Sequence, residues 1–471
     1  MAKQVAIVQE RLQVRESPSG VLEFWEGGTN APPTTVPEKE SVKALGSVFE
    51  NEFERVKKHP FLPLAEIRSL QLQRLKRLVW HAYETVPFYH HFYREKGFHP
   101  DELSSMGDFQ KVPIVRKEDL QAAGEDAIST RFKGMNLFKT RSSGSSGNVL
   151  RIYVNLDAIL IDTVQGVRQF GLQSSSKYEQ DHLLTHIYTV PWWFDSVGGR
   201  YQTAFVSSLI RPEKIGEILG TLRPHIISLY PTNLDSLIPH LDADSLSRVY
   251  LGVVHSEIST KAQREMWSEK LGFPVLDEYS SEELTRIALE LPCGHYHVHE
   301  DSVFAEVVDS GSGEQVSPGE NGLFVGTNLL NEAMPFIRYV QGDYSVKEDE
   351  DSECEIGWSR LGAIKGREND SFVTRQGTVI PAGTLLDLTY RWMFDSRVQV
   401  RGFELVQKAF DRVEVCFWPV LDEESLRKLS SHIEAYVKVL LGQDCQVQIA
   451  SMADAPGRDG KFRPIRREFQ P

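Results

Sequence analysis

Six small residues in a row, from Ser142 to Gly147, form the first segment whose residue types could do chemistry. They lie within TRSSGSSGNVL (140–150). Glycines let a backbone curl so that successive N–H groups point inward, and serine hydroxyls add donors, which together suit a polyphosphate. The Gly-Lys-Ser/Thr ending of a Walker A loop is missing, and the next segment is strand-like rather than helical. A plain flexible loop explains the same residues when they are taken alone.

The segment DEYSSEE (277–283) follows a strand-like run and combines an aromatic ring with two adjacent carboxylates. Tyr279 offers a ring face for a purine, and Glu282 and Glu283 offer oxygen ligands for Mg²⁺. Paired glutamates are also a common charged start of a helix, and on its own the segment fits that description as well.

A carboxylate follows a glycine in MPFIRYVQGDYS (334–345), where apolar residues lead into Arg338 and Tyr339. This order predicts a turn at Gly342 and Asp343. A carboxylate held at a turn can accept both hydroxyls of a ribose, which makes Asp343 a candidate sugar ligand. A turn residue without a ligand would show the same pattern.

Two further segments carry basic residues beside glycines. IKGRENDSFVTRQGTVIPAG (364–383) places Gly366 and Arg367 before an Asn-Asp pair, and GRDGKFRPIRRE (457–468) presents Lys461 on a glycine-rich loop. A lysine on a mobile loop can deliver a cation to a developing negative charge. A solvated basic tail is the alternative interpretation of the second segment.

Hydrophobic periodicity indicates the elements that must hold these segments in place. Apolar residues at steps of three and four between residues 72 and 86 predict a helix that ends before Pro87. Short apolar runs then alternate with helical patterns to about residue 365, which is typical of an α/β region. Residues 413–450 follow strand, helix and strand periods, as a small separate domain would. Residues 16–46 lack a regular pattern, so we expect order to begin near residue 50.

Composition limits the class of protein. The 471 residues include 52 Lys and Arg against 66 Asp and Glu, and the net charge of −14 disfavours non-specific binding to nucleic acid. With 41% hydrophobic and 25% charged residues, the chain can bury a sizeable core, which excludes a disordered, collagen-like or small disulfide-rich protein. No apolar run approaches the roughly 18 residues that cross a bilayer. Four widely separated cysteines indicate a reducing, cytoplasmic setting.

The order and spacing of the five segments resemble the adenylate-forming (ANL) superfamily, in particular its branch of phenylacetate–CoA ligases, coenzyme F390 synthetases and CapK-like proteins. The resemblance extends from about residue 70 to residue 468 and includes LVWHAYETVPFYHHFYREKGFHPDELSSMGDFQKVPIVRKEDL (78–120), which is similar to the N-terminal signature of that branch. It implies an α/β chain with the ANL adenylate-forming fold. The expected domains are an N-terminal extension (1–50), a large multi-sheet adenylation domain (51–365) and a small mobile α+β C-terminal lid (366–471).

The resemblance also implies a role for each matching residue. Aligned from Tyr279, Glu283 takes the Mg²⁺-binding position, with Glu282 as the alternative, while Ser280 stands where the family has glycine. Lys461 becomes the catalytic lysine, and Asp370 lies at the hinge of the lid. The implied nucleotide contacts are Ser142, Ser143, Gly144, Ser145, Ser146, Gly147, Ser256, Glu257, Tyr279, Ser280, Ser281, Asp343 and Arg367.

A metal site is a further expectation. LPCGHYHVHED (291–301) brings one cysteine together with His295, His297 and His299, and Cys354 lies in a later acidic segment. Some members of the branch carry a structural zinc in a comparable place. The matching ligands here would be Cys293, His297 and Cys354, and one more would have to come from elsewhere because tetrahedral zinc needs four. Histidines at the surface or in a pocket are the alternative.

The acid-binding pocket is expected at HIYTVPWWFD (186–195), which includes the end of a strand-like run. Tyr188, Trp192 and Trp193 would form aromatic walls that suit a flat aryl acid or a long apolar acid. An ordinary buried core explains these rings equally well. Our hypothesis is that the substrate is an aromatic carboxylic acid.

The reaction that the resemblance implies is the attack of a carboxylate on the α-phosphate of ATP, with Mg²⁺ bound, to give an acyl-adenylate and pyrophosphate. The acyl group would then pass to CoA, to an amine or to a carrier protein, and no feature of the sequence separates these acceptors. Two alternatives stay open: an adenylyltransferase that forms AMP esters, and a non-catalytic nucleotide-binding protein with the same fold. The expected assembly is a monomer or a homodimer, without nucleic-acid or membrane partners.

Overall fold

The computed structural model describes residues 12–16, 21–26, 39–142, 150–188, 191–193, 195–208, 210–348, 354–367, 370–377, 379–380, 385, 398, 400, 402–453 and 463–469. The chain divides into two compact units. Unit 1 comprises Met1–Glu257, Trp267–Gln341 and Val346–Gly362, and unit 2 comprises Ile258–Met266, Gly342–Ser345 and Ala363–Pro471. The domain boundaries expected after residues 50 and 365 stay predictions.

Unit 1 is built around a ten-stranded sheet with a parallel centre. Its strands are β1 (Leu12–Glu16), β2 (Leu22–Glu26), β5 (Leu184–Tyr188), β6 (Thr203–Ser207), β7 (Ile226–Leu229), β8 (Leu251–His255), β9 (Val275–Ser281), β10 (Thr285–Glu290), β11 (Tyr296–Val298) and β15 (Arg360–Leu361). Their order across the sheet is β1-β2-β6-β5-β7-β8-β9-β10-β11-β15. Pairing is parallel from β2 to β9 and antiparallel at both ends.

The parallel strands are buried along almost their whole length. Ile187, Ile227, Leu229 and Val253 have no exposed surface. Strands covered on both faces are near-continuous apolar runs, as these are, and each such side chain contributes roughly 1.5–3 kcal/mol by leaving water. Polar residues interrupt these runs at both ends: Ser207 and His255 end β6 and β8, whereas Thr185 and Thr203 lie near the amino ends of β5 and β6.

Two smaller groups of strands complete unit 1. The strands β12 (Val303–Val308) and β13 (Asn321–Asn328) pair antiparallel. The strand β14 (Tyr339–Val346) follows them in the same sheet, and its residues are divided between the two units. The strands β3 (Phe138–Arg141) and β4 (Arg151–Val154) form an antiparallel pair on either side of the serine- and glycine-rich segment. The strand predicted directly after that segment is therefore confirmed.

The helices of unit 1 surround these strands. They are α1 (Lys39–Val56), α2 (Leu64–Thr85), α3 (Pro87–Glu95), α4 (Lys117–Ala123), α5 (Leu156–Gln173), α6 (Pro212–Leu222), α7 (Pro231–Leu237) and α8 (Ala243–Leu246). The residues of α9 (Lys261–Leu271) are divided between the two units. Short 3-10 helices occur at His59–Phe61, Pro100–Glu102, Met106–Lys111, Gly124–Ala127, Thr130–Phe132 and Ile238–His240. The predicted helix before Pro87 is α2, and Pro87 itself begins α3.

Unit 2 contains the strand-helix-strand segment that periodicity predicts. Its elements are β16 (Gly366–Arg367), β17 (Phe372–Val373), β18 (Val379–Ile380), β19 (Gly402–Ala409), β20 (Arg412–Trp418), α10 (Glu423–Leu441), β21 (Gln446–Ser451) and β22 (Ile465–Arg467). Four of them form a sheet in the order β21-β20-β19-β22. Leu429, Ile433 and Val437 of α10 lie in one core cluster with Leu405 and Val415 of this sheet, so unit 2 has a hydrophobic core of its own.

The N-terminal region is more ordered than expected. Regular secondary structure begins before residue 50. The strands β1 and β2 form an antiparallel pair, and α1 begins at Lys39. Trp25 and Phe49 are buried, which explains why these short elements are stable against the body of unit 1. The stretch 16–46 that lacks a regular pattern thus includes β2 and the start of α1, and its residues 17–20 and 27–38 lie outside the described part of the chain.

Among the described residues, no helix is both long enough and apolar enough to cross a membrane.

Candidate functional site

The candidate site of unit 1 lies at the carboxyl edge of the parallel strands. Tyr188 is the last residue of β5, His255 is the last residue of β8, and Tyr230 directly follows β7. Open parallel α/β sheets bind ligands in the crevice outside the carboxyl ends of their strands. The rings of Tyr188 and Tyr230 stack with centroids 4.8 Å apart, and His255 lies 5.4 Å from Tyr188. The edge is therefore lined by aromatic and polar side chains from three neighbouring strands.

The serine- and glycine-rich segment connects β3 to β4. Its residues 143–149 lie outside the described part of the chain. Its two ends are closed against each other. The backbone N–H of Ser142 donates to the carbonyl of Leu150 at 3.0 Å, and the Ser142 hydroxyl accepts from the Leu150 N–H at 3.0 Å. The Ser142 hydroxyl thus fastens the base of the loop. Phosphate binding by Ser143, Gly144, Ser145, Ser146 and Gly147 stays a prediction.

The segment DEYSSEE forms the end of β9 and the turn into β10, not the start of a helix. The Tyr279 ring packs edge-on against Phe324, with 5.4 Å between centroids. The Ser281 hydroxyl donates to Gln341 at 3.0 Å and accepts the Leu284 N–H at 3.0 Å, which fixes the turn. The two glutamates of this turn are consequently held in defined places.

The two adjacent glutamates have different surroundings. Glu283 is buried, its Oε1 accepts a hydrogen bond of 3.3 Å from the Tyr339 hydroxyl, and its carbonyl accepts one of 3.0 Å from Asn328. Glu282 accepts a hydrogen bond of 2.8 Å from the Thr140 hydroxyl, which lies on β3 just before the serine-rich loop. Glu283 is thus held by residues of β13 and β14. Glu282 instead links the turn between β9 and β10 to β3, the strand that precedes the serine-rich segment.

Burial raises the pKa of Glu282 to about 7, and the neighbouring Glu283 carboxylate acts in the same direction. An acid whose pKa is raised in the folded state binds more protons there than in the unfolded state. Its neutral form stabilises the fold below the unfolded pKa, and that stability is lost as the pH rises through 7.

We expect Glu282→Gln to remove this pH dependence. In Mg²⁺-free buffer, the free energy of unfolding of the wild type should fall by at most about 3 kcal/mol between pH 5 and pH 8 through this one group. Urea unfolding at both pH values measures the effect, with Glu66→Gln on an exposed turn of α2 as the control. A Glu282→Gln protein that loses as much stability as the wild type contradicts the prediction.

The segment expected to contact adenine follows β8. Ser256 has φ +66°, in the left-handed region that a non-glycine residue rarely occupies, and such strain is concentrated at ligand sites. Its hydroxyl lies 2.9 Å from His255 Nδ1. The Glu257 carboxylate accepts hydrogen bonds from the backbone and hydroxyl of Thr232 at 3.1 Å and 2.8 Å. Glu257 therefore holds the start of α7 beside β8, and its role toward adenine stays a prediction.

The rings predicted to line the acid pocket fall into two groups. The Tyr188 hydroxyl is hydrogen-bonded to Ser256 and Tyr230, and burial raises the pKa of this hydroxyl. Trp192 stacks on His186 with centroids 5.4 Å apart, and Trp193 is hydrogen-bonded to the carboxylate of Asp162 on α5. The expected aromatic wall is thus interleaved with charged and polar groups, which neither a purely apolar pocket nor an ordinary apolar core contains.

The candidate ribose ligand belongs to unit 2 and does not lie at a turn. Asp343 is a buried residue within β14, paired in register with Arg367 of β16. The predicted Gly-Asp turn is wrong because Gly342 adopts φ +87° inside a continuous strand. Only glycine takes that conformation without strain, so the glycine distorts the strand locally instead of ending it.

The hinge residue and the lysine segment are connected within unit 2. Asp370 is buried, and its carboxylate pairs with the Arg463 guanidinium at 2.8 Å. Lys461 itself lies outside the described part of the chain, which resumes at Arg463. Arg463 is two residues from Lys461 in the sequence, so this ion pair joins the predicted hinge motif to the segment that carries the lysine.

The predicted zinc ligands come together in unit 1. One ligand atom each from Cys293, His297 and Cys354 lies within 4.8 Å of the others, and the Cys293 sulfur is 3.5 Å from His297 Nε2. Burial lowers the pKa of His297 to about 4, which keeps its imidazole in the neutral form that binds metals. His299 is instead held by Arg168 and Gln169 at 3.1 Å and 3.2 Å. The described residues therefore fit three corners of a tetrahedral site.

Several side chains at the site were not predicted from the sequence. Thr140, Tyr230, His186 and Tyr339 contact predicted residues through hydrogen bonds or ring stacking. Alternation on β5 puts His186 on the same face as Tyr188, which is a usable signal. The partners of Thr140 and Tyr339 are more than 50 residues away in the chain, and no local pattern indicates them.

Known structures with this architecture are adenylate-forming CoA ligases. The chain superposes on the crystal structure of 2-hydroxyisobutyryl-CoA ligase in the postadenylation state with 2-HIB-AMP, with a TM-score of 0.72 and 20% identity over 87% of this chain and 91% of that one. An open conformation of that ligase with 2-HIB-AMP and CoA gives a TM-score of 0.60 over 88% and 94% of the two chains. The fold is therefore the adenylate-forming fold that the resemblance implies.

Comparison with known sequences points to a more specific group of ligases than the structures do. The chain is 28% identical to the phenylacetate-coenzyme A ligase of Thermus thermophilus over 68% of its length and 74% of the relative. It is 24% identical to the phenylacetate-coenzyme A ligase of Escherichia coli over 84% of its length and 93% of the relative. No family model matches the chain. These similarities confirm the predicted resemblance to the phenylacetate–CoA ligase branch.

Proposed function

We propose that the protein is an AMP-forming ligase that activates a carboxylic acid with ATP and transfers the acyl group to CoA. A carboxylate oxygen would attack the α-phosphorus, and the bond to the β-phosphate would break, which releases pyrophosphate. The thiol of CoA would then attack the acyl carbon, lose its proton and release AMP. The observation that carries the proposal is the set of Tyr188, His255–Ser256 and Tyr279–Glu283 at one strand edge of a chain similar to known CoA ligases.

ATP would be bound by the predicted nucleotide residues. The segment from Ser143 to Gly147 suits the phosphates, since backbone N–H groups and serine hydroxyls can donate to them, while Ser142 closes its base against Leu150. Tyr279 and the Ser256–Glu257 segment would flank adenine. Asp343 and Arg367 would bind the ribose and a phosphate, and their pairing in neighbouring strands supports a shared role.

Glu283 would hold Mg²⁺, which neutralises phosphate oxygens when bound. Its carboxylate fits this role because it is buried and is oriented by the hydrogen bond of 3.3 Å that it accepts from the Tyr339 hydroxyl. Glu282 is the less suitable ligand. One of its oxygens already accepts the Thr140 hydrogen bond, and a pKa of about 7 leaves the group partly protonated at neutral pH.

Lys461 would supply positive charge to the α-phosphate during adenylation, and unit 2 would then turn at Asp370 to admit the acceptor. Gating of this kind often limits turnover. The Asp370–Arg463 ion pair supports the assignment because it couples the hinge to the loop that carries the lysine. CoA is the acceptor that the relatives favour, and an amine or a carrier protein is tested against it below.

The acid would be aromatic, with Tyr188, Trp192 and Trp193 as walls of its pocket. The position of Tyr188 at the carboxyl end of β5, 5.4 Å from His255 at the end of β8, supports this choice, since the reacting carboxylate has to reach the nucleotide there. The relatives named phenylacetate-coenzyme A ligases act on an aromatic acid, which agrees with it.

Pyrophosphate exchange tests the proposal. The protein is incubated with ATP, Mg²⁺, labelled pyrophosphate and each member of a library of aryl and aliphatic acids, and the products with CoA, amines and carrier protein are identified by mass spectrometry. Acid-dependent exchange and an acyl-CoA product are expected. AMP transfer without an acid would instead support an AMP-ester-forming adenylyltransferase. ATP binding without exchange for any acid would indicate a non-catalytic nucleotide-binding protein. The departures from the family pattern at Ser280 and Glu282 would then account for the loss of catalysis.

We expect about one zinc ion per chain, held by Cys293, His297 and Cys354, with a structural role. Metal analysis of the purified protein checks this, and Cys293→Ser should lower both the zinc content and the melting temperature because a tetrahedral site loses a thiolate. His295→Ala is the matched control, since His295 lies in the same hairpin but pairs with Glu348 at 3.6 Å. Equal zinc contents in Cys293→Ser and the wild type would contradict the assignment.

A further inference from the structure

The turn between β9 and β10 combines a strained backbone with contacts to distant strands. Ser281 and Thr285 are paired across its base, so the loop itself consists of the residues Glu282–Leu284. Thr285 has φ +61°. A β-branched residue in that left-handed region is a genuine outlier, and hairpins with three-residue loops use glycine where such a conformation is needed. The turn is therefore held in a conformation that its own residues disfavour.

Two neighbouring strands hold one side of this turn. The Ser281 hydroxyl donates to Gln341 of β14 and accepts the Leu284 N–H, both at 3.0 Å. The Glu283 carbonyl accepts a hydrogen bond of 3.0 Å from Asn328 of β13. Strained conformations persist where the surrounding structure over-determines them, and they are concentrated at ligand sites. The strain at Thr285 thus agrees with a turn that has to keep one particular shape.

A further contact of the turn reaches a different part of unit 1. The Thr140 hydroxyl donates to Glu282 Oε2 at 2.8 Å. Both side chains are half-buried, and a hydrogen bond that is partly shielded from water is electrostatically stronger than one in bulk water. Thr140 lies on β3, two residues before Ser142. The contact therefore joins the turn to the strand that leads into the predicted phosphate-binding segment.

The position of Thr140 also fixes the base of that segment. All residues of β3, from Phe138 to Arg141, are paired in register with β4. The next residue, Ser142, is bonded to Leu150 through both its N–H and its hydroxyl. Because the two strands are hydrogen-bonded up to this point, Ser142 is held in place wherever Thr140 is held.

The Thr140–Glu282 contact therefore spans two segments that are predicted to bind different parts of Mg²⁺-ATP. The turn carries Glu283, the predicted Mg²⁺ ligand, and β3 leads into the predicted phosphate segment. A metal ion that bridges phosphate oxygens and a carboxylate requires these two segments at one fixed separation. Ordering them anew at each binding event would lower the affinity for Mg²⁺-ATP.

We propose that Thr140 and Glu282 are a pair of positioning residues, which hold the turn of Glu283 and the base of the phosphate segment in one arrangement that suits Mg²⁺-ATP. The proposal rests on the proposed function and adds these two residues to it. They act through the segments that they join and need no contact with the nucleotide. What matters is the hydrogen bond between them, not the charge of Glu282.

Paired substitutions separate the hydrogen bond from the charge in pyrophosphate exchange. Thr140→Val removes the hydroxyl at nearly constant size, and Glu282→Asp keeps the charge but shortens the side chain by one methylene group. Each should raise the KM for Mg²⁺-ATP at least about fivefold, while kcat and the KM for the acid stay within about twofold. A merely structural role would lower the amount of active protein, and with it kcat, without changing the KM.

Two conservative substitutions should keep the contact. Thr140→Ser retains the hydroxyl donor, and Glu282→Gln retains an acceptor oxygen at the same length, so both should have a KM for Mg²⁺-ATP within about threefold of the wild type. Thr163→Val is the matched control. The Thr163 hydroxyl donates to the Ile159 carbonyl of its own helix at 2.9 Å, and its loss should leave the KM for Mg²⁺-ATP unchanged.

The double variant Thr140→Val/Glu282→Asp provides a second readout. Its KM for Mg²⁺-ATP should be no higher than that of the worse single variant, because both changes remove the same hydrogen bond. Effects that multiply overturn the pair. A raised KM in Glu282→Gln together with a normal KM in Glu282→Asp also overturns it, since the charge would then be the feature that matters.

The remaining outcomes separate the two proposals. Wild-type KM values for Mg²⁺-ATP in Thr140→Val and Glu282→Asp overturn the positioning pair and leave the ligase function standing. Binding of Mg²⁺-ATP without exchange for any acid overturns the ligase function. The pair is then judged from the dissociation constants for Mg²⁺-ATP, measured by calorimetry, for which the same order of variants is expected. A wild-type protein that does not bind Mg²⁺-ATP overturns both.

Discussion

Glu283→Gln is expected to reduce acid-dependent pyrophosphate release by about a thousandfold. Glutamine keeps the size of the side chain but removes the charge that would hold Mg²⁺. A bound metal stabilises the transferring phosphate by several kcal/mol, and each 1.36 kcal/mol is a factor of ten in rate. Initial rates at saturating ATP and acid, over a range of Mg²⁺ concentrations, measure the loss.

Glu282→Gln is the control because it changes the adjacent carboxyl in the same way. It should keep activity within about tenfold of the wild-type rate at neutral pH. The wild-type Glu282 side chain has a pKa of about 7, so it is already a neutral acid in part of the population. The reverse result, with Glu282→Gln inactive and Glu283→Gln active, would show that the metal ligand is Glu282 and that the alignment is shifted by one residue.

Lys461→Ala is expected to lower the rate of adenylation by about 10² to 10³-fold while leaving the use of a preformed acyl-adenylate intact. A single donor aimed at developing charge contributes about this much. The second half-reaction takes place after the lysine has withdrawn, so it should not depend on the lysine. Stopped assays with ATP and acid, or with synthetic acyl-adenylate and CoA, separate the two steps.

Lys438→Ala is a suitable control in the same unit. Lys438 forms an i,i+4 pair with Glu434 at the surface of α10, and such exposed pairs contribute less than about 1 kcal/mol. Both half-reactions should proceed normally in it. If Lys461→Ala adenylates at the wild-type rate, the charge on the α-phosphate is neutralised by another group.

The sequence predicts helices and strands well where a regular apolar pattern continues over many residues. The helix α10 spans five turns with an apolar stripe, and β20 and β21 alternate clearly, so unit 2 follows from local pattern alone. The strands β1 and β2 are five residues each, and they depend on pairing in the large sheet and on the burial of side chains such as Trp25. A short strand that depends on distant partners has no local signal strong enough to predict it.

The turn at Asp343 shows a different limit. Gly-Asp is a common turn dipeptide, and a turn is the natural prediction. Tertiary pairing of Asp343 with Arg367 and Tyr344 with Gly366 instead keeps the strand continuous, and Gly342 absorbs the irregularity. The residue type was informative about conformation, but the sheet around it decided between a turn and a distorted strand.

The buried charged and polar side chains of His186, Glu278, Arg286 and Asp162, which contact one another or Trp192 and Trp193, were the least predictable part of the site. His186, Glu278 and Arg286 come from three strands. His186 and Arg286 each look like a single charged or polar side chain within a strand, and Glu278 lies in the polar segment DEYSSEE without any sign of its partners. Their charges meet only because the strands align in register, and α5 brings Asp162 to them. Local patterns do not contain such long-range pairings, so the aromatic walls were visible in the sequence and their charged neighbours were not.

Oxygen transfer from acid to AMP tests the central proposal most directly. An accepted acid labelled with ¹⁸O in its carboxylate is incubated with ATP, Mg²⁺ and CoA, and the AMP is analysed by mass spectrometry. If the carboxylate attacks the α-phosphorus, each AMP leaves with one ¹⁸O atom, while pyrophosphate remains unlabelled. AMP without label, or formation of ADP in place of AMP, would contradict an acyl-adenylate intermediate.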